Sequence, residues 1–262
     1  MTARCGLAVL AAAAAAAAFA APAGSPGAGP PAAVTAAPAA AAPAAAAPAA
    51  AAPAGARASF EGYARALHGE LGLAAQGLEY APFRYGLLGH CRLRERRLLA
   101  RPGILSIVDY RLSSNRERLF VLDLERRKLL HRSLVAHGRG SGDEYARSFS
   151  NGARSLKSSL GFYVTGSTYR GKHGYSLRLE GLDPGFNDKA GTRAIVMHGA
   201  TYVSRAFALR HRRIGRSWGC PAVPMESHRE IIDTINSQYE IKSETEEQLK
   251  KAIAEFKQGN PN

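Results

Sequence analysis

Acidic residues, cysteines and long apolar runs are all scarce in this chain of 262 residues, which has 21 Asp plus Glu against 35 Lys plus Arg. The first 58 residues contain no acidic residue, and Arg4 and Arg57 are their only charges. After the amino-terminal run no second stretch of about 18 apolar residues occurs, which excludes a multi-span membrane protein. The sequence also lacks internal repeats and a glycine-rich nucleotide-binding motif. The formal charge of +14 predicts an anionic environment rather than a fold.

The amino-terminal segment has the order of a secretory signal peptide. Residues 1–4 are short and positive, residues 5–18 are an unbroken apolar run, and Ala18-Phe19-Ala20 is a small-x-small cleavage site. The sequence therefore predicts a signal peptide over 1–20 and export to the periplasm or cell envelope of a bacterium. A retained membrane anchor is the alternative, because the apolar stretch is only slightly shorter than a bilayer span. After cleavage we expect no stable membrane span.

Residues 21–58 alternate short alanine runs with proline and contain no aromatic residue, which predicts a disordered or semi-extended linker. The part that must bury a core is thus 59–262. Export also concerns the two cysteines that remain, Cys91 and Cys220, because an oxidising compartment usually joins such a pair. A disulfide between them is the alternative to a catalytic role for Cys220, and Cys91 is otherwise expected to be a core thiol.

The hydrophobic period changes along the folded part. Apolar spacings of three and four predict a helical region over 59–100, whereas short β-rich runs with polar or glycine-rich turns fill 101–243. Such a run of strands predicts a mainly β fold, a β-sandwich or an open barrel, with flanking helices. Strands are predicted at 104–110, 118–124, 128–136, 161–165, 175–179 and 193–197, helices at 59–73, 80–88 and 226–236, and a charged carboxy-terminal helix or tail over 244–262.

A histidine and a cysteine stand in distinctive surroundings. His198-Gly199 closes an apolar strand, and Cys220 lies in a turn after Gly219. A cysteine is nucleophilic only as thiolate, so His198 is the candidate base for Cys220. Gly199 would allow a sharp turn, Gly219 would let a substrate approach closely, and the amides around it are candidates to face an oxyanion. A buried, inert cysteine is the alternative that these residues leave open.

Several motifs extend this observation. The segments His198-Gly199 and Ser217-Trp218-Gly219-Cys220 resemble the signature of the YkuD-type L,D-transpeptidases of bacterial cell walls. Longer runs, in the same order over roughly residues 100–235, resemble one branch, the murein L,D-transpeptidase catalytic domain family. These runs are 135–142, 148–151, 158–163, 169–177 and 215–223. Two departures from the wider pattern stand out: Trp218 replaces a common His, and Pro221-Ala222 replaces an apolar residue followed by Arg or Asn.

The resemblance implies a YkuD-like domain in which Cys220 is the nucleophile and His198 the base. It implies acyl transfer through a thioester on tetrapeptide stems of peptidoglycan, with release of D-Ala and formation of 3-3 crosslinks. Carbapenem-type β-lactams are the expected inhibitors. An L,D-carboxypeptidase using the same site, or a non-catalytic peptidoglycan-binding protein, remains an alternative. No cofactor is expected, and export argues against nucleic acid as a partner.

The remaining candidates surround this pair. Ser217 is predicted to act in catalysis by bonding the base, or else to stabilise the turn through a local amide. His131, His173, His211 and His228 show no metal-ligand spacing, so no metal site is expected. His137 is a candidate to line the cleft, with a surface-loop position as the alternative. The residues predicted to bind substrate or the oxyanion are Gly219, Arg216, Trp218, Gly199, Tyr202 and His137.

Overall fold

A computed structural model describes residues 9–13 and 54–236, and it gives residues 9–13 and 54–58 by their backbone alone. The described helices are α1 (Ala54–Glu70), α2 (Leu73–Gln76), α3 (Tyr80–Glu95), α4 (Arg205–His211) and α5 (His228–Ile235). The strands are β1 (Val9–Ala13), β2 (Ile104–Asp109), β3 (Leu119–Asp123), β4 (Lys128–Ser133), β5 (Gly161–Gly171), β6 (Gly174–Gly181), β7 (Val196–Ala200) and β8 (Ala222–Pro224). No described helix is long and apolar enough to cross a membrane.

Seven strands form two mostly antiparallel sheets, and the amino-terminal strand lies between them. Strands β4-β3-β2 make one sheet and β5-β6-β7-β8 the other, and β1 joins them by pairing parallel to β2 and antiparallel to β5. Among the other pairs of described strands, β7 and β8 pair in parallel and the rest are antiparallel. The mainly β fold with flanking helices is therefore confirmed.

Successive side chains of a strand point to opposite faces, and this alternation divides the core. In β2, Leu105 and Ile107 pack with the helices α1 to α3, whereas Val108 packs on the other face with β6, β7 and α5. A third, smaller cluster lies around Ala222 and Ile214. The first face is the helical side of the protein. The second face, with the third cluster, carries the Cys220 and His198 motifs described above.

Most predicted elements occur, with shifted ends. Helix α1 begins at Ala54, inside the predicted linker, because alanine continues a helix readily. Strand β7 begins at Val196 rather than at 193, because Ala194 has a left-handed φ of 51° and Ile195 closes a turn by donating to the Ala190 carbonyl. The short elements α4 and β8 were not predicted. The predicted leader and linker are described only at 9–13 and 54–58, and the predicted carboxy-terminal helix lies outside the described residues.

Candidate active site

The turn that carries Cys220 is held by local hydrogen bonds. Ser217 Oγ accepts from the Gly219 amide at 3.0 Å and donates to the Cys220 carbonyl at 2.6 Å. Gly219 has a φ of 129°, and a Cβ there would lie 2.9 Å from the Lys157 carbonyl oxygen, so glycine is required by both backbone conformation and space. The Ser217 side chain thus stabilises the turn by bonding backbone groups of Gly219 and Cys220. The Gly219 amide is already used by Ser217, which leaves the Cys220 amide as the nearer oxyanion donor.

The Cys220 side chain is partly buried at the start of the parallel pair β7 and β8. Its thiol donates to the Ala194 carbonyl, with Sγ and O 3.7 Å apart. Burial raises the pKa of the Cys220 thiol above its usual range, while the backbone amides of Val196 and Cys220 and the charge of Arg193 oppose that rise. The Cys220 thiol is therefore protonated at rest, and a base would be needed to make it a nucleophile.

His198 lies in β7, beside Ala222 of β8 and thus two residues along the ladder from Cys220. Its Nδ1 is 2.9 Å from the Gly199 carbonyl oxygen. Because a carbonyl can only accept, Nδ1 carries the proton and Nε2 keeps the lone pair that a base requires. Burial, with 3% of the residue exposed, lowers the pKa of His198, and this favours the neutral imidazole.

Two further histidines surround the His198 ring. His173, at the tip of the β5–β6 hairpin, stacks on it with ring centroids 4.4 Å apart and an interplanar angle of 23°. His228, at the start of α5, lies over Gly199, where a Cβ would come within 2.6 Å of the His228 ring. Gly199 has no positive φ and sits inside a strand, so the expectation that it makes a sharp turn is wrong. Its lack of a side chain instead lets His228 pack against the strand.

Arg193 supplies positive charge next to the nucleophile turn. Its guanidinium donates to the carbonyls of Ser150 (2.8 Å) and Lys157 (2.6 Å). It also donates to the hydroxyl of Ser159 and reaches the Ser155 hydroxyl at 3.3 Å. A Cβ on Gly219 would lie 3.3 Å from Arg193 Nη2. In the described part of the chain this guanidinium has no carboxylate partner, so its charge is available to a thiolate.

A buried arginine, Arg118, binds the segment around His137, which in turn bonds the Cys220 turn. Arg118 donates to the Val135 carbonyl, to the Leu112 carbonyl and, at 2.8 Å, to Nδ1 of His137. Burial lowers the pKa of Arg118 to about 10 and that of His137 to about 4. The His137 side chain is fully buried, so the prediction that it lines the cleft is wrong, as is the surface-loop alternative. His137 contributes through its backbone, whose carbonyl accepts from the Ser217 amide at 3.0 Å.

Aromatic and charged side chains border the turn. Trp218 is 67% exposed, and the charged groups of Arg139 and Lys172 each lie 5.9 Å from the centroid of one of its rings. Tyr202 is partly buried, and its ring packs so closely on Gly215 that a Cβ there would clash. Burial first, and then the nearby Cys220 thiolate, raise the pKa of Tyr202 to about 12. Both aromatic side chains therefore lie beside the turn, and their role in binding substrate stays a prediction.

Arg216 is engaged by the protein itself. Its Nη1 donates to Asp143 Oδ1 at 2.8 Å and to the Gly142 carbonyl at 3.0 Å. The carboxylate that it holds thus belongs to the neighbouring loop, and the residue fixes that loop against the turn. Within residues 59–236, whose side chains are described, no group of three histidine, cysteine or carboxylate side chains has the geometry to hold a metal ion.

The two cysteines within the described side chains, Cys91 and Cys220, are separate free thiols. Cys91 lies in α3 and packs against the helical core, whereas Cys220 packs against the core on the opposite face of the sheet. No disulfide therefore joins them in this structure, and Cys220 is chemically available.

A family model for the L,D-transpeptidase catalytic domain matches residues 74–241, more than half of the chain. The chain belongs to this family. The match includes the whole of the turn, the strands β2 to β8 and the helices α3 to α5. No curated protein and no solved structure matches the chain. The family acts on peptidoglycan and is sensitive to β-lactams, so the chain is an L,D-transpeptidase-type enzyme domain.

Three side chains at the site escaped the sequence analysis. Arg193 and Arg118 did not stand out in a chain with 35 basic residues. His173 was considered only as a metal ligand, and its spacing spoke against that role. A signal did exist for Arg193, because it lies five residues before His198 at the start of the same apolar run. Its distance from Gly219, however, depends on how the chain folds.

Proposed function

We propose that the protein is an exported L,D-transpeptidase that uses Cys220 as nucleophile and His198 as base on tetrapeptide stems of peptidoglycan. The observation that carries the proposal is the His198 ring, neutral and tied by Nδ1 to the Gly199 carbonyl, in the strand next to a free thiol. The family of the chain supports the substrate class.

The reaction begins with a proton transfer. The Cys220 thiol, which donates to Ala194 at rest, rotates about its Cα–Cβ bond and gives its proton to Nε2 of His198. Arg193 and the amide of Cys220 stabilise the thiolate, offsetting part of the cost of burial. The thiolate then adds to the carbonyl carbon between the third residue of the stem and its terminal D-Ala.

The resulting oxyanion faces the Cys220 amide, because the Gly219 amide is bound to Ser217. Cleavage of the C–N bond releases D-Ala, whose amine takes the proton from His198, and leaves the acyl group on Sγ as a thioester. An amine of a second stem attacks the thioester and loses its proton to His198, and Cys220 leaves and regains its proton. The product is a 3-3 crosslink, and no cofactor enters the scheme.

Export forms part of the proposal and has a structural consequence. Cleavage after Ala20 would remove strand β1, so the mature enzyme would keep two sheets, β4-β3-β2 and β5-β6-β7-β8. Amino-terminal sequencing of protein recovered from the periplasm tests this point. A mature terminus within residues 21–58 is expected, and an intact Met1 would indicate a retained anchor instead.

The reaction is tested by incubating the purified chain with tetrapeptide muropeptides and determining product masses. Crosslinked dimers with loss of D-Ala are expected, and tripeptide as the sole product would indicate an L,D-carboxypeptidase. A carbapenem should add its mass to Cys220 and not to Cys91. Binding of stems without any product would support the non-catalytic alternative.

A further inference from the structure

Two cations without an ion-pair partner among the described residues lie near Trp218, an exposed aromatic residue next to Cys220. Trp218 is two residues before Cys220, and its indole is 67% exposed. The Arg139 guanidinium and the Lys172 ammonium each lie 5.9 Å from a ring centroid of this indole, and they come from different parts of the fold. Among the side chains that the structure describes, neither cation forms an ion pair.

The neighbouring charges do not neutralise this pair. Asp143 is the acidic residue tied to the turn, and it binds Arg216 at 2.8 Å and Arg213 at 3.8 Å. The amide of Arg139 donates to the Ser217 carbonyl at 2.8 Å, which ties its backbone to the turn that carries Trp218. The site therefore presents an exposed indole with two cations near it.

Lys172 is placed by the hairpin tip that also covers the base. It lies between β5 and β6, next to His173, whose ring stacks on His198. The tip thus lies close to both residues, to His198 through the His173 ring and to Trp218 through the Lys172 ammonium. A ligand bound over Trp218 meets these cations at the mouth of the reaction site, where a carboxylate forms charge-assisted hydrogen bonds.

We infer that Arg139 and Lys172, which both lie close to Trp218, select stems whose diamino-acid and glutamyl carboxyl groups are free over stems in which those groups are amidated. The inference rests on the proposed function and adds the charge of the preferred substrate. Conversion of a carboxylate to a carboxamide keeps its shape and removes its charge, so the two stems differ in the property that the cations detect.

The experiment compares the full chain on two synthetic tetrapeptide stems that differ only in having carboxylates or carboxamides at the second and third residues. We expect kcat/KM for the free acid to be higher by roughly 5- to 10-fold, the sum of two exposed charge contacts, and the ratio to fall as salt is added. Binding of both stems to the Cys220→Ala chain, measured by calorimetry, should show the same preference without turnover.

Variants assign the preference to residues. Arg139→Gln with Lys172→Gln should bring the ratio of the two kcat/KM values close to one, and Lys172→Glu should favour the amidated stem. Arg94→Gln, which removes an exposed arginine from α3 on the helical side, is the matched control and should leave the ratio unchanged. Melting temperatures verify that each variant folds.

The outcomes separate the two proposals. Turnover of both stems at equal rates, or an unchanged preference in the double variant, would overturn the inference and leave the transpeptidase function intact. Turnover of neither stem, together with no acylation by a carbapenem, would overturn the proposed function and the inference with it.

Discussion

Cys91 and Cys220 are both partly buried thiols, and burial raises the pKa of each, yet their surroundings differ. Around Cys91 the nearby charges are Arg94 and Glu95, which act in opposite directions. Around Cys220 the amide groups and Arg193 all favour the thiolate, and a neutral imidazole lies in the next strand. Burial therefore favours the protonated thiol in both places, and around Cys220 the amides and Arg193 offset part of this effect.

The largest expected effect is the difference between the two alanine variants. Cys220→Ala should abolish crosslink formation and thioester formation, because covalent catalysis has no substitute nucleophile here. Cys91→Ala should keep the activity and lose about 1 kcal/mol of stability through a small cavity. Product masses and thermal melting measure the two. Full activity in the Cys220→Ala chain would end the transpeptidase proposal.

The second comparison removes the base. His198→Ala should lower kcat by roughly 10²- to 10⁴-fold, the usual contribution of a positioned acid or base. Alkylation of Cys220 near neutral pH should also fall and follow the titration of a buried thiol, whose pKa lies above the ordinary value. His211→Ala, an exposed histidine of α4, is the control. An unchanged alkylation profile would mean that another group takes the proton.

Each side of the sheet also holds a buried neutral histidine. His90 Nε2 bonds the Pro102 carbonyl at 2.8 Å while its Nδ1 has no partner, and His137 Nδ1 accepts from Arg118. Burial lowers the pKa of both to about 4. Because the unfolded value is about 6.5, their stabilisation is complete above pH 6.5 and is lost as pH falls toward 4.

We therefore expect the melting temperature to drop between pH 7 and pH 4, with each histidine costing on the order of 3 kcal/mol at the acid end. His90→Met should remove the His90 contribution to this pH dependence and leave the contribution of His137. Calorimetric melting at a series of pH values measures it. A flat profile in the unmodified chain would show that folding does not lower the pKa of these two histidines.

The smallest effect concerns Arg193, the charge that distinguishes Cys220 from Cys91. Arg193→Gln should lower the rate of alkylation of Cys220 by neutral iodoacetamide at pH 7 about tenfold, because the thiolate loses its nearest cation. Arg193→Lys keeps the charge and should recover part of the rate, which a merely structural role in the loop would not explain. The alkylation rate of Cys91 in the denatured chain serves as the control for an unassisted thiol. Equal rates in all three chains would remove Arg193 from the mechanism.

Much of the fold followed from local patterns, and the site followed only in part. The strands β2 and β3 are short, almost continuous apolar runs bounded by polar turns, which is enough to predict strands, and Cys220 and His198 are marked by their motifs. The role of Gly199 was misread, because a glycine inside a strand looks like one in a turn until the ring of His228 is placed over it. His137 was misplaced for a similar reason, since only its buried bond to Arg118 distinguishes it from a loop histidine.

The sequence by itself determined the mainly β class and marked Cys220 and His198 as candidates for nucleophile and base, because short apolar runs and short motifs are local properties. The tertiary structure decided which charges reach the thiol, which tautomer His198 adopts and which cations stay unpaired around Trp218. These properties depend on distances between residues far apart in the chain, and electrostatic and hydrogen-bond energies fall off over a few ångströms. The sequence contains 35 Lys and Arg residues, and it does not reveal which of them lie within that distance of the thiol.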